Sequence, residues 1–231
     1  MKTILFQGDS ITDCGRIREE RGNNVVGYAL KIWDKCRKAT DFGDGYPAMV
    51  KAELQNTAPG QYNFYNRGVG GDRILEVYAR IVKDIINLKP DYMSLLIGVN
   101  DVWQGIDWKN ATGVARYEKV YDIFLTELKE ELPELKIIIF EPFVLEGTAT
   151  SNNAKQPDKY RVFRSGVEEM AAIAKKLAEK HGIKFVELQS MFDKAAETIP
   201  AKDLLADGVH PTAKGHELIK NEWIKAFNEI K

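Results

Sequence analysis

Thr3-Ile4-Leu5-Phe6-Gln7-Gly8-Asp9-Ser10-Ile11-Thr12 is the stretch from which the rest of the chain can be read. Its apolar run, residues 3–6, reads as a buried strand, and Gly8 marks the sharp turn on which that strand ends. A serine at the start of the next segment points its hydroxyl into the crevice above the strand ends, where open α/β sheets bind ligands. Ser10 is therefore a candidate nucleophile. A hydroxyl is a weak nucleophile until a base removes its proton, so this reading demands a histidine, an orienting acid and donors for an oxyanion elsewhere in the chain. Without those partners, Asp9 or Ser10 would serve only as a helix cap.

Working outward, residues 13–45 form a charged, glycine-containing excursion in which only 26–33 keep a period, read as one short helix. Tyr46, Met49, Val50 and Leu54 have helical spacing, closed by residues 56–60. A strand is expected over 62–66, ended by the glycine loop Gly68-Val69-Gly70-Gly71-Asp72. Ile74, Val77, Tyr78, Ile81 and Ile85 share one helical face up to Lys89-Pro90, which stops the helix. A buried strand over 92–97 ends at Gly98-Val99-Asn100-Asp101, and an amphipathic helix follows over 114–132. Residues 137–140 are apolar throughout, as a parallel strand covered on both faces should be. A polar loop over 146–156, a helix over 158–180 capped by Gly182, and a strand over 183–188 come next. A short helix after Gln189 and a last helix over 212–230 complete the chain. Strands alternating with helices predict a parallel sheet with helices on both faces, within one domain spanning 1–231.

Polar, glycine-containing motifs follow three different strands: Gly8-Asp9-Ser10, the Gly68–Asp72 loop and Gly98-Val99-Asn100-Asp101. In a parallel sheet these strand ends share one edge, so the three motifs converge. Backbone N–H groups of Ser10 and Gly71 and the side-chain amide of Asn100 are the candidate oxyanion donors. Each has a plainer explanation as a tight turn. The acid and base come from Asp207-Gly208-Val209-His210, whose spacing lets a carboxylate reach one imidazole nitrogen while the other faces outward. Of the three histidines, His181 suits a helix C-terminus and His216 lies inside the last helix as a packing or surface residue. That leaves His210 as the base. No second His or Cys cluster accompanies it, which argues against a metal site.

Lys and Arg (33) nearly cancel Asp and Glu (34), so no charge excess favours nucleic acid or an anionic membrane. No run approaches membrane-spanning length, and the N-terminal apolar run is too short for the core of a signal peptide. Two cysteines, Cys14 and Cys36, are too few for a disulfide framework and fit a reduced, cytoplasmic setting. The loops at the strand ends are charged or hydrophilic, Glu146 to Asn153 above all, whereas a long acyl tail would need a contiguous apolar surface. Trp103, just after Asn100-Asp101-Val102, is a candidate flat face for a sugar ring, with Trp108 a weaker second; the plainer reading of either is an ordinary core residue.

Taken together, these residues resemble the four blocks of the SGNH, or GDSL-type, serine hydrolases. Gly8-Asp9-Ser10 resembles the nucleophile block, Gly71 the glycine donor, Gly98-x-Asn100-Asp101 the asparagine block, and Asp207-x-x-His210-Pro211 the acid and base. Ile11 stands where the GDSL name calls for leucine. The resemblance implies a three-layer αβα, flavodoxin-like five-stranded parallel sheet and ester hydrolysis through an acyl-serine, with no metal or organic cofactor. Within the family, Asp13-Cys14-Gly15-Arg16, Val102-Trp103, Pro142-Phe143-x-x-Glu146-Gly147 and His210-Pro211-x-x-x-Gly215-His216 look most like bacterial intracellular acetyl-xylooligosaccharide esterases. Members of that group can be homo-oligomers, and their substrates are small acetylated oligosaccharides. The rival expectations are a lysophospholipase, thioesterase or arylesterase of the same family, and a flavodoxin-like binding module without turnover.

Overall fold

The computed structural model describes residues 1–16 and 42–231. The short helix expected over 26–33 and Cys36 lie outside the described residues. In chain order the elements are β1 (Lys2–Gly8), α1 (Ser10–Asp13), α2 (Tyr46–Thr57), β2 (Tyr62–Asn66), α3 (Ile74–Ala79), α4 (Ile81–Asp84), a 3-10 turn (Ile86–Leu88) and β3 (Tyr92–Leu96). They continue with α5 (Val99–Trp108), α6 (Val114–Glu131), β4 (Lys136–Phe140), α7 (Lys159–His181), β5 (Lys184–Val186), α8 (Gln189–Ala196), α9 (Ala201–Leu204) and α10 (Ala213–Ile230).

Five strands make one sheet in the order β2-β1-β3-β4-β5, and every pairing is parallel. Composition follows position in the sheet. β3 is buried at every residue, whereas β2, at one edge, alternates more and less exposed positions. Phe6 packs against Tyr46 of α2 and Trp223 of α10, and Tyr62 and Tyr92 both meet Phe227, so α2 and α10 close one face. Helices α3, α5, α6 and α7 pack with one another on the opposite face. Because β2 and β3 lie on opposite sides of β1, the chain changes direction there, and a crevice opens beyond the carboxyl ends of β1 and β3. Ser10 follows the first of these strands and Asn100 the second. Among the described residues, no helix is long and apolar enough to cross a membrane.

Three sequence expectations need correction. The apolar stripe from Ile74 to Ile85 is interrupted at Arg80, so two short helices and a 3-10 turn replace one helix. Arg80 stands at the break as the cap of both helices, its guanidinium tied to Asp72 Oδ2, in the glycine loop before the first helix, at 2.5 Å and to Asp84 Oδ2 at 2.8 Å. The segment after β3 is not only a loop but the start of α5. Gly98 makes the entry, with φ of 136° and a hypothetical Cβ 2.9 Å from Tyr117 Oη, so both backbone geometry and space require glycine. β5 is also shorter than expected, because the chain enters α8 by way of Leu188.

Candidate active site

Asp9 caps α1 by accepting the Ile11 N–H on Oδ1 at 2.9 Å. The capping role and a reactive Ser10 are therefore compatible: the neighbour caps, and the Ser10 hydroxyl, on the first residue of α1, is left to face the crevice. Its Oγ lies 2.9 Å from His210 Nε2. His210 Nδ1 lies 2.7 Å from Asp207 Oδ2, and the other carboxylate oxygen accepts the Val209 and His210 N–H groups at 2.9 and 2.8 Å. A carboxylate can only accept, so Nδ1 carries the proton and Nε2 of the neutral ring is free to accept from Ser10.

The turn bearing Asp207 and His210 is bonded at several points. Ala206 N–H donates to the His210 carbonyl at 2.8 Å, and Leu205 pairs with Pro211. Leu145 N–H bonds the Gly208 carbonyl, and Ala149 N–H the Asp207 carbonyl, both at 2.9 Å. A Cβ at Gly147 would lie 2.4 Å from the Asp207 carbonyl carbon, so the loop after β4 presses directly on this turn.

Electrostatics follow from the burial. Burial alone would raise the Asp207 carboxyl, but its bonds to His210 and the Val209 amide hold it below the usual carboxylate range. For His210, burial works to lower the pKa and is outweighed by the hydrogen bond and charge of Asp207, with Asp9 adding to the same effect, so the ring stands above the ordinary histidine value. Asp9 is 1% exposed. Burial pushes its carboxyl up to about 7, against the opposing pull of the Ile11 N–H and of His210. Asp101, equally hidden, is likewise raised to about 7 by burial, although Thr112 Oγ1 and the Ile74 N–H bond it.

The candidate oxyanion donors are gathered at the same edge. A Cβ placed on Gly70 would lie 3.7 Å from Ser10 Cβ, which sets the glycine loop beside the nucleophile candidate. Gly71 has φ of 86°, and a Cβ there would meet nothing within 4 Å, so its requirement for glycine is conformational. Asn100, buried on the first turn of α5, donates one amide hydrogen to the Asp72 carbonyl at 3.0 Å and keeps the other. Trp103, on the same helix, sits 5.8 Å from the His210 ring, and Trp108 stacks on it at 6.4 Å with 65% of its own surface exposed.

The remaining histidines lie elsewhere. His181 ends α7 with Nε2 2.7 Å from Asp122 Oδ1. His216 is a packing residue, buried between Tyr46, whose N–H it accepts at 3.2 Å, and Cys14. Sequence reasoning did not single out Asp13 or Gln104, which bond the glycine loop, nor the buried carboxyl of Asp9. The spacing of Asn100 and Gln104, four residues apart, would have pointed to Gln104 had α5 been recognised as a helix.

The model of the GDSL-like Lipase/Acylhydrolase family matches residues 6–218. The acetylxylan esterase of Geobacillus stearothermophilus is 32% identical over 225 residues, covering 96% of this chain and 92% of that enzyme. Its crystal structure superposes with a TM-score of 0.77 at 29% identity, covering 97% of this chain and 93% of that one. A GDSL-like lipase-type protein from Parabacteroides merdae gives a TM-score of 0.81 at 36% identity, with coverage of 98% and 95%. The sheet order, the helices on both faces and these likenesses agree on the SGNH hydrolase fold. The binding module without turnover gives way to an enzyme: this chain belongs to the GDSL-like Lipase/Acylhydrolase family and is a carboxylic ester hydrolase.

Proposed function

We propose that the enzyme removes acetyl groups from acetylated xylo-oligosaccharides through an acetyl-Ser10 intermediate. The observation that carries the mechanism is the unbroken relay from Ser10 Oγ to His210 at 2.9 Å and from His210 to Asp207 at 2.7 Å. As Ser10 attacks the ester carbonyl, its proton passes to His210 Nε2, and the ionised Asp207 stabilises the imidazolium. The oxyanion is held by the Ser10 and Gly71 N–H groups and the second Asn100 amide hydrogen. His210 then gives the proton to the departing sugar oxygen. Water repeats the sequence on the acyl-serine, releasing acetate and returning the proton to Ser10. In the Geobacillus relative, a serine-to-alanine and an aspartate-to-alanine variant are catalytic mutants, which supports the same division of labour here.

Support for the substrate comes from the cleft and from kinship. Trp103 beside the base and the exposed Trp108 offer aromatic faces to sugar rings, and the relative is an acetyl-xylooligosaccharide esterase. A cytoplasmic setting would supply imported oligosaccharide rather than polymer. The test is a series of esters of one alcohol graded from acetyl to octanoyl, run beside acetate release from acetylated xylo-oligosaccharides. We expect kcat/KM to fall steeply with acyl length. A preference for octanoyl esters or acyl thioesters would assign the enzyme to the lipid or thioester class instead.

A further inference from the structure

The loop that carries the Gly71 N–H is poor in side chains of its own, with glycine at 68, 70 and 71, and Gly70 and Gly71 are exposed. Its backbone must nevertheless hold a donor steady to within fractions of an ångström if that donor is to act on a transition state. Side chains from two other elements supply the restraint. Asp13, the last residue of α1, accepts the Gly70 N–H on Oδ2 at 3.1 Å. Gln104, on α5, donates its Nε2 hydrogen to the Gly71 carbonyl at 2.6 Å. The rotation of the Gln104 amide is itself fixed, since its Oε1 accepts from Asn110 Nδ2 at 2.9 Å.

These two bonds fall on either side of the peptide that matters. The Gly70 N–H belongs to the peptide before it, and the Gly71 carbonyl to the peptide after it. With both neighbours held, the Gly70–Gly71 peptide, which carries the Gly71 N–H, has little freedom to swing. Helix α5 would thus serve the oxyanion twice from one face: Asn100 donates directly, and Gln104, one turn on, holds the backbone donor.

We infer that Gln104, together with Asp13, is a positioning residue that brackets and aims the Gly71 N–H. The inference rests on the proposed role of Gly71 as an oxyanion donor. The bond from Gln104 lies near the surface, where a neutral hydrogen bond contributes little to folding, so its loss should be read in the rate and not in the stability.

The experiment replaces Gln104 and measures kcat and KM on a small acetate ester, the rate of Ser10 phosphonylation by an uncharged alkyl fluorophosphonate, and Tm. Gln104→Leu and the shape-conserving Gln104→Glu, neither of which donates at neutral pH, should lower kcat by about 10–100-fold and slow phosphonylation comparably, with KM within about twofold. Gln104→Lys restores a donor of similar reach and should recover kcat to within about threefold of the parent. Unchanged kcat in both Gln104→Leu and Gln104→Glu, a KM rise at constant kcat, or a Gln104→Lys variant as slow as Gln104→Leu would overturn the inference. Asn100→Ala, run in parallel, separates the two levels. If it too leaves kcat unchanged, the oxyanion assignment itself fails; if it is slow while Gln104→Leu is fast, only the positioning role fails.

Discussion

The Trp103 indole stands 5.8 Å from the His210 imidazole at a tilt of 53°, held there by its own N–H bond to Asp107 Oδ2 at 2.7 Å. One aromatic ring thus touches the proposed base while a second, Trp108, stacks on the first and meets solvent. A stacked aromatic face contributes roughly 0.5–1.5 kcal/mol, about 2–12-fold in affinity. Trp108→Ala should raise KM for acetylated xylo-oligosaccharides by about that factor and leave a small aryl acetate unaffected. Equal effects on both substrates, compared by steady-state kinetics, would remove Trp108 from the sugar site.

The proposed base must be neutral to accept the Ser10 proton, and His210 is held above the ordinary histidine value. Activity should therefore be lost as pH falls through a pKa higher than that of an unperturbed imidazole, about 6.5. Asp9 contributes to the elevation. Asp9→Asn keeps the helix cap but removes the charge, so the acid limb of its kcat/KM profile should move to lower pH. A limb that stays in place or moves up would show that the Asp9 charge does not raise His210.

The same aspartate gives a stability prediction. Its folded pKa of about 7 lies above the ordinary 3.8, so the folded chain binds this proton more tightly than the unfolded one. The penalty is absent below the ordinary pKa and grows as pH rises towards about 7, reaching on the order of a few kcal/mol. Thermal melts should find Asp9→Asn more stable than the parent at pH 8 and level with it near pH 4. A parent that melts higher than Asp9→Asn at pH 8 would contradict the raised carboxyl.

A fluorophosphonate probe should label the protein once, and Ser10→Ala should abolish both label and turnover. Asn100→Ala should lower kcat by roughly 10²–10³-fold, because a preorganised donor acts mainly in the transition state. Persistent labelling in Ser10→Ala, located by peptide mass spectrometry, would move the nucleophile elsewhere.

Much of this architecture could be read from residue order because the central strands leave little choice. Ile137 to Phe140 can be neither a solvated loop nor half of an amphipathic helix, and Gly182 announces the end of α7. What escaped reading depends on contacts between distant residues. The stripe from Ile74 to Ile85 looks continuous because a count of apolar positions does not register the break at Arg80, whose guanidinium is tied back to Asp72 in the preceding loop. α5 was hidden because Gly98 and Gly105 bracket a segment whose acidic and aromatic residues imitate a loop; Gly105 is needed there because a Cβ would lie 2.5 Å from Ala111 Cβ. The candidate site was legible as residue types in order. Its supports were not, since the burial of Asp9 and the bonds of Asp13 and Gln104 arise only once loops from separate strands meet.

The hydrogen bond between Ser10 and His210 joins residues 200 positions apart. A ribosome therefore delivers the histidine 200 residues after the serine. Over that interval the nascent chain holds a hydroxyl without its base. At roughly 5–20 residues per second, this interval lasts on the order of ten seconds or more. The turn carrying Asp207 and His210 must then dock on the loop after β4, where Gly147 leaves no room for a misplaced backbone. Appearance of esterase activity during cell-free synthesis would thus report, without any added label, the moment when the turn carrying Asp207 and His210 reaches its place.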